Sequence, residues 1–335
     1  MTRRSFFHRR SLMVGAVLTG VCVVSLAAAP SGAPAGFFRV YVTNERSGDV
    51  TVIDPRTRAA IRNIAVGGRP RGIAASPDGR RLYVAIAARN GAPAGIAVID
   101  AASGRVSGRL PSGPDPENVA VTPDGRTLWI SNEDASHASA VDVRIRRILA
   151  TVPTGEEPEG VAVSADGRWV AVTSESASAI TVIDARSRRA IRKIRTDARP
   201  RAVRFSPDGK RVYATAEIGG SVSWIDTATW TVGARLVLPG PVKAVGVAVP
   251  PDGRRLYVTT SHANGVAVVD TESFSVAATI PVGGRPWGIA LSPDGRTLFT
   301  ANGTSGDVSV VDLASGRAVA AVPAGDGPWG VAVAR

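Results

Sequence analysis

RGIAASPDGRRLYVAIA at 71–87, followed by GIAVID at 95–100, is the stretch on which the fold turns. Two short apolar runs flank Pro77-Asp78-Gly79, and their branched and aromatic residues suit the pleated, half-buried surface of a strand. Proline presets φ for the turn and glycine accepts its left-handed position, so these runs predict a tight hairpin. A third run closes on Asp100. A strand-ending aspartate with Ser or Thr three residues on, as in Asp184 to Ser187, suits a side-chain-capped turn into a fourth run such as AAIRNIAV at 59–66.

This unit recurs along the chain. Aspartates end apolar runs at positions 54, 100, 142, 184, 226, 270 and 312, spaced by 46, 42, 42, 42, 44 and 42 residues. The PDG or ADG turn places its aspartate at 78, 124, 166, 208, 252 and 294. Four antiparallel strands repeated seven times predict an all-β, seven-bladed β-propeller. The first unit, beginning near Phe38, lacks the strand that precedes PDG, whereas GPWGVAVAR at 327–335 supplies that strand alone. The first blade is therefore expected to be closed by the C-terminal strand, which removes two open edges. A length of 335 residues is compatible with one such domain, expected over residues 36–335.

Residues 1–35 read as an export signal. A basic stretch, MTRRSFFHRR, precedes SLMVGAVLTGVCVVSLAAA at 11–29, which carries no charge. Arg3 and Arg4 followed by Phe6 and Phe7 resemble a twin-arginine signal; general secretion and an uncleaved membrane anchor are the alternatives. The expected location is the periplasm or the exterior. The single cysteine, Cys22, falls inside this segment, leaving the mature chain without a disulfide. Loss of Arg3, Arg4, Arg9 and Arg10 with the signal takes the net charge from +12 to +8. The arginines are scattered over many turns, so a solvated surface is favoured over a nucleic-acid stripe.

With YVTN at 41–44, the repeats resemble the YVTN family of propeller repeats over nearly the whole mature chain. SGPDPE (112–117), SNED (131–134), EEPEGVAVS (156–164), AEIGGSVS (216–223), GGRPWGIALS (283–292) and GPWGVAV (327–333) further resemble one subfamily. It is the β-propeller protein associated with pyrroloquinoline quinone (PQQ) dependent catabolism.

The repeats are stereotyped at the PDG and Asp-x-x-Ser turns and vary at the other face, where function can be grafted without disturbing the scaffold. Seven residues before each PDG aspartate, near the mouth of the central channel, stand Arg71, Glu117, Glu159, Arg201, Val245 and Trp287, with Trp329 by extension. A second set closes the second strand of each blade: Glu45, Glu133, Glu175, Glu217 and His262, with Ile86 and Gly303 in the other two. A polar mouth carrying two tryptophans suits an anionic or aromatic ligand, or a partner docked by charge complementarity. The structural alternative is that Arg and Glu of neighbouring blades pair across the ring while Trp287 and Trp329 plug the channel.

His137 and His262 alone remain in the mature chain, too few for a multi-histidine metal centre. A carboxylate site built from Glu133, Glu175 and Glu217 with His262 is chemically allowed, but diverging blades disfavour it, and no metal or other cofactor is expected. No GxSxG elbow supports Ser-His-Asp chemistry. The expected protein is a monomeric, noncatalytic binding or scaffold protein, and the resemblance implies that it is accessory to PQQ-dependent alcohol oxidation. It would dock a periplasmic quinoprotein dehydrogenase or its cytochrome, or bind a small anionic or aromatic ligand, at Arg71, Glu117, Glu159, Arg201, Trp287 and Trp329 with Glu133, Glu175, Glu217 and His262 around them. A lactonase-type hydrolase is the enzyme alternative; polyanion or nucleic-acid binding is a third, opposed by the acidic sector of the mouth.

Overall fold

The computed structural model describes residues 37–89 and 91–335. The export signal expected at 1–35 lies outside them. Among the described residues, 28 strands, β1 (Arg39–Asn44) to β28 (Pro328–Ala334), form seven four-stranded antiparallel sheets. No helix among them is long and apolar enough to cross a membrane.

The innermost strands are β4 (Arg69–Ala75), β8 (Pro116–Val121), β12 (Pro158–Val163), β16 (Pro200–Phe205), β20 (Ala244–Ala248), β24 (Pro286–Leu291) and β28. Each touches the next around a closed ring, and β28 touches β4. The first blade is β28 paired with β1, then β2 (Asp49–Asp54) and β3 (Ala59–Ala65), so the C-terminal strand closes it as the sequence predicts.

The core lies between blades. Each of seven clusters joins two neighbouring sheets, as when Tyr41 and Val52 of the first blade pack with Leu82 and Ile99 of the second. The second strand supplies the wedge: Tyr41, Tyr83, Trp129, Tyr213, Tyr257 and Phe299 are buried at equivalent positions. The fourth blade has Ala171 there, and its cluster recruits Trp169 and Trp230, which meet edge to face at 5.5 Å.

Side-chain hydroxyls tie the inner ring together. Thr173 accepts the Gly160 amide at 2.8 Å and donates to the Arg201 carbonyl of the next blade at 2.7 Å. Thr43, Thr215 and Thr259 repeat this link. The strands approach so closely that a Cβ on Gly160 would lie 2.3 Å from the Arg201 carbonyl oxygen. Glycine is therefore a packing requirement at that position. The inner strands are pinned at the level of the mouth.

Candidate functional site at the channel mouth

The mouth residues occupy a β-bulge. Near the start of each inner strand the register with its neighbour slips by a residue, between Pro158 and Val161 for example. Arg71, Glu117, Glu159, Arg201, Val245, Trp287 and Trp329 all sit in these slips. A bulge leaves a residue unpaired and turns its side chain out of the regular alternation, here toward the channel. Before it stands proline in six blades, which gives the ladder no N–H to satisfy. One residue earlier the backbone is left-handed at Asp115 (φ 44°), Glu157 (55°), Arg199 (63°) and Arg285 (53°). Such a conformation costs a non-glycine residue about 1–2 kcal/mol. It swings the linker so that these charged side chains flank the mouth.

Two arginine hubs result. Arg71 Nη1 donates to Glu117 and, at 2.9 Å, to Glu133, while its Nε donates to Glu45 at 3.2 Å. Arg201 Nη1 donates to Glu159 at 2.9 Å and is ion-paired with Glu175. Arg199 Nε lies 2.6 Å from Glu175 and 3.2 Å from Glu217, and Lys243 Nζ donates to Glu217 at 3.0 Å. Arg71, Arg201, Glu117, Glu159, Glu175 and Glu217 are all buried. Buried charge is tolerated when it is paired, which these hubs achieve across blade boundaries, although Glu175 Oε1 and Glu217 Oε2 accept no hydrogen bond.

The proton affinities divide. Burial pushes the Glu133 carboxyl up, and repulsion from Glu159 adds to it against the pull of Arg71. Glu159 is likewise raised by burial despite Arg201 and Arg71. Burial also acts on Glu45 and Glu217, but there the cations win: Arg69 and Arg71 hold Glu45 low, and Arg201, Lys243 and Arg199 hold Glu217 low. Carboxylate oxygens of Glu117, Glu133 and Glu159 lie within 4.8 Å of one another, a grouping that could offer oxygens to a cation. The Arg71 guanidinium already stands against Glu117 and Glu133 and supplies positive charge there.

Opposite the acidic sector, Trp287 and Trp329 stack with centroids 6.4 Å apart and planes 13° from parallel. Arg201 and Arg285 each place a guanidinium carbon 4.9 Å from the Trp287 ring centroid. Arg71, Glu117, Glu133, Glu159, Arg201, Trp287 and Trp329 line one cavity of about 210 Å³. Glu175 and Glu217 lie beside it, under Arg199 and Arg201, and Val245 lines a smaller cavity beneath.

His262 is exposed in a turn and does not line the cavity. The position equivalent to Glu133, Glu175 and Glu217 is Ser261: its amide donates to Lys243 O as theirs donate to Asp115 O, Glu157 O and Arg199 O. In the second blade Ala87, opposite Arg69, is the equivalent rather than Ile86. A constant nine residues from the PDG aspartate marks this place in six blades. The carboxylates that converge are thus Glu117, Glu133 and Glu159, a different set from the one weighed with His262. Glu45, which closes the second strand of the first blade, also belongs to the site, as do Arg199 and Arg285, which stand two residues before Arg201 and Trp287.

A family model described as lactonase, seven-bladed β-propeller, matches residues 185–320, and one described as YNCE-like β-propeller matches residues 113–206. No curated protein matches the chain. Among solved structures, Kuenenia stuttgartiensis hydrazine synthase is 27% identical, with 78% of this chain and 88% of that chain covered and a TM-score of 0.71. A putative 6-phosphogluconolactonase from Bacteroides uniformis is 19% identical over 89% of this chain and 99% of that chain, with a TM-score of 0.76. A functionally unknown protein from Desulfotomaculum acetoxidans is 16% identical, with the same coverage and a TM-score of 0.77. The last two resemble this chain in fold.

Proposed function

We propose that this protein is an exported, noncatalytic propeller that binds a small, flat, anionic ligand at its mouth in support of PQQ-dependent alcohol oxidation. The observation that carries the reading is Arg285. Among the described residues, Arg69, Arg71, Arg199, Arg201 and Lys243 at the mouth each hold a carboxylate partner, whereas exposed Arg285 has none and rests against Trp287. A half-exposed indole pair beside an unpaired guanidinium offers an aromatic anion both a stacking surface and a charge partner. The subfamily resemblance supplies the link to PQQ, itself a planar polycarboxylate, and to docking on a quinoprotein dehydrogenase or its cytochrome.

Titration of the purified protein with PQQ, read by tryptophan fluorescence, tests this. Saturable quenching is expected, weakened at least tenfold by Arg285→Ala or Trp329→Ala. Absence of saturable quenching, or binding untouched by both variants, refutes the mouth site.

A second reading, lactone hydrolysis, is favoured by the lactonase family model, whose span includes Arg199, Arg201, Glu217, Lys243 and Trp287. Neither His137 nor His262 lines the cavity, so the base would be a carboxylate, and Glu133 and Glu159 have the raised proton affinity such a role requires. Turnover of a δ-lactone by the protein and its loss in Glu159→Gln would favour this reading over the first.

A further inference from the structure

The inner strands carry one residue that breaks their internal pattern away from the mouth. Three positions after each mouth residue stand Ala74, Ala120, Ala162, Ala248, Ala290 and Ala332, but in the fifth blade the place is taken by Arg204. Alanine satisfies the fold at six equivalent sites, so packing asks for no cation at the seventh. The Arg204 side chain is exposed, and the space it reaches is the interior of the channel: it lines both the cavity of about 80 Å³ below the mouth and one of about 420 Å³ beyond. Among the described residues it has no carboxylate within ion-pairing distance, and its side chain donates only to the Val203 carbonyl at 3.3 Å. Although it is open to the space of the channel, the strands of the ring stand around it on every side, and this desolvation draws its pKa below the ordinary arginine value.

The larger cavity is a funnel at the face of the PDG turns, bounded by Ser206 and Pro207 of one such turn. Its walls are the ends of the inner strands, including Ala75, Val121, Val163, Phe205 and Val333. A funnel whose side chains are mostly apolar, with one unpartnered guanidinium, has the chemistry of an amphiphile site. We infer that the channel binds an aliphatic monocarboxylate, its head on Arg204 and its tail in the funnel, at the face opposite the mouth. One carboxylate matches the single cation and its fork geometry, whereas a phosphate dianion would bring a second charge into apolar walls with nothing to meet it. The tail gains by leaving water, at about 0.8 kcal/mol per buried methylene.

Calorimetric titration of the purified protein with octanoate and with acetate tests the inference independently of the mouth. Octanoate is expected to bind, acetate at least tenfold more weakly. Arg204→Ala and Arg204→Met should each weaken octanoate at least tenfold while keeping the melting transition, since alanine already stands at the other six positions. Arg285→Ala, at a residue that lines neither of the cavities Arg204 reaches, should leave octanoate binding unchanged. Octanoate affinity unaltered in both Arg204 variants, equal affinity for acetate, or loss of octanoate binding in Arg285→Ala would each overturn the site.

Discussion

At the scale of single residues, carboxylates in this protein respond to pH with opposite signs. Asp78, Asp124, Asp166, Asp208 and Asp294 are each held below the ordinary aspartate value, first by the Ser or Thr hydroxyl two residues earlier. A carboxyl depressed on folding contributes stability above its unfolded pKa, and that contribution is lost as pH falls through the folded pKa. Glu159 works the other way: burial raises it, so folding favours its proton, and stability declines as pH rises from the unfolded value through the folded one. Urea midpoints are therefore expected to drop below about pH 4. The shallower decline on the neutral side should flatten in Glu159→Gln; an identical slope in that variant would contradict the assignment. The turn half of this behaviour was legible, because Ser/Thr-x-Asp-Gly is a local arrangement of four residues. The mouth half was not, since Arg201, the hydrogen-bond partner of the Glu159 carboxylate, comes from another blade 42 residues away.

Among the elements, the outer hairpin turn of each blade repeats one backbone shape with different residues. Gly104 and Gly316 take left-handed φ of 69° and 65°, and Arg58, Arg146, Arg188, Trp230 and Phe274 take the same region at 49–57°. Glycine reaches it without steric cost. Arg188→Gly is expected to stabilise the protein by about 0.5–1 kcal/mol, read as a rise in melting temperature. A fall would mean that the side chain contributes more than its backbone strain costs. The outer strands themselves present exposed isoleucine and valine, as in RAIRKIR at 189–195, where the interleaved cations keep the edge from recruiting another strand. Strand identity and number were readable from turn chemistry. The one-residue displacement of His262 from Ser261 was readable too, by counting from Asp252, but only hydrogen bonding shows why the count matters.

For the molecule as a whole, closure was the most legible feature and is the most consequential. The strand missing at one end of the repeat array was present at the other, and no alternative pairing leaves fewer open edges. Removing residues 328–335 should expose the edge of β1 and open the clusters around Val42 and Tyr41 on its two sides. The truncated chain is expected to self-associate in sedimentation experiments, and a monomeric, cooperatively folding truncation would argue that six blades suffice.

The hydroxyl bond between Thr43 and Gly330 joins residues 287 apart. Closing a loop of that length instead of one blade's 42 residues costs only about 1.7 kcal/mol more, because the entropy grows with the logarithm of length. The seam is cheap at equilibrium but late in time. Until β28 arrives, a refolding chain carries two unsatisfied edges, and encounters between molecules compete with closure within one. Refolding yield should therefore depend on protein concentration even where the finished ring does not.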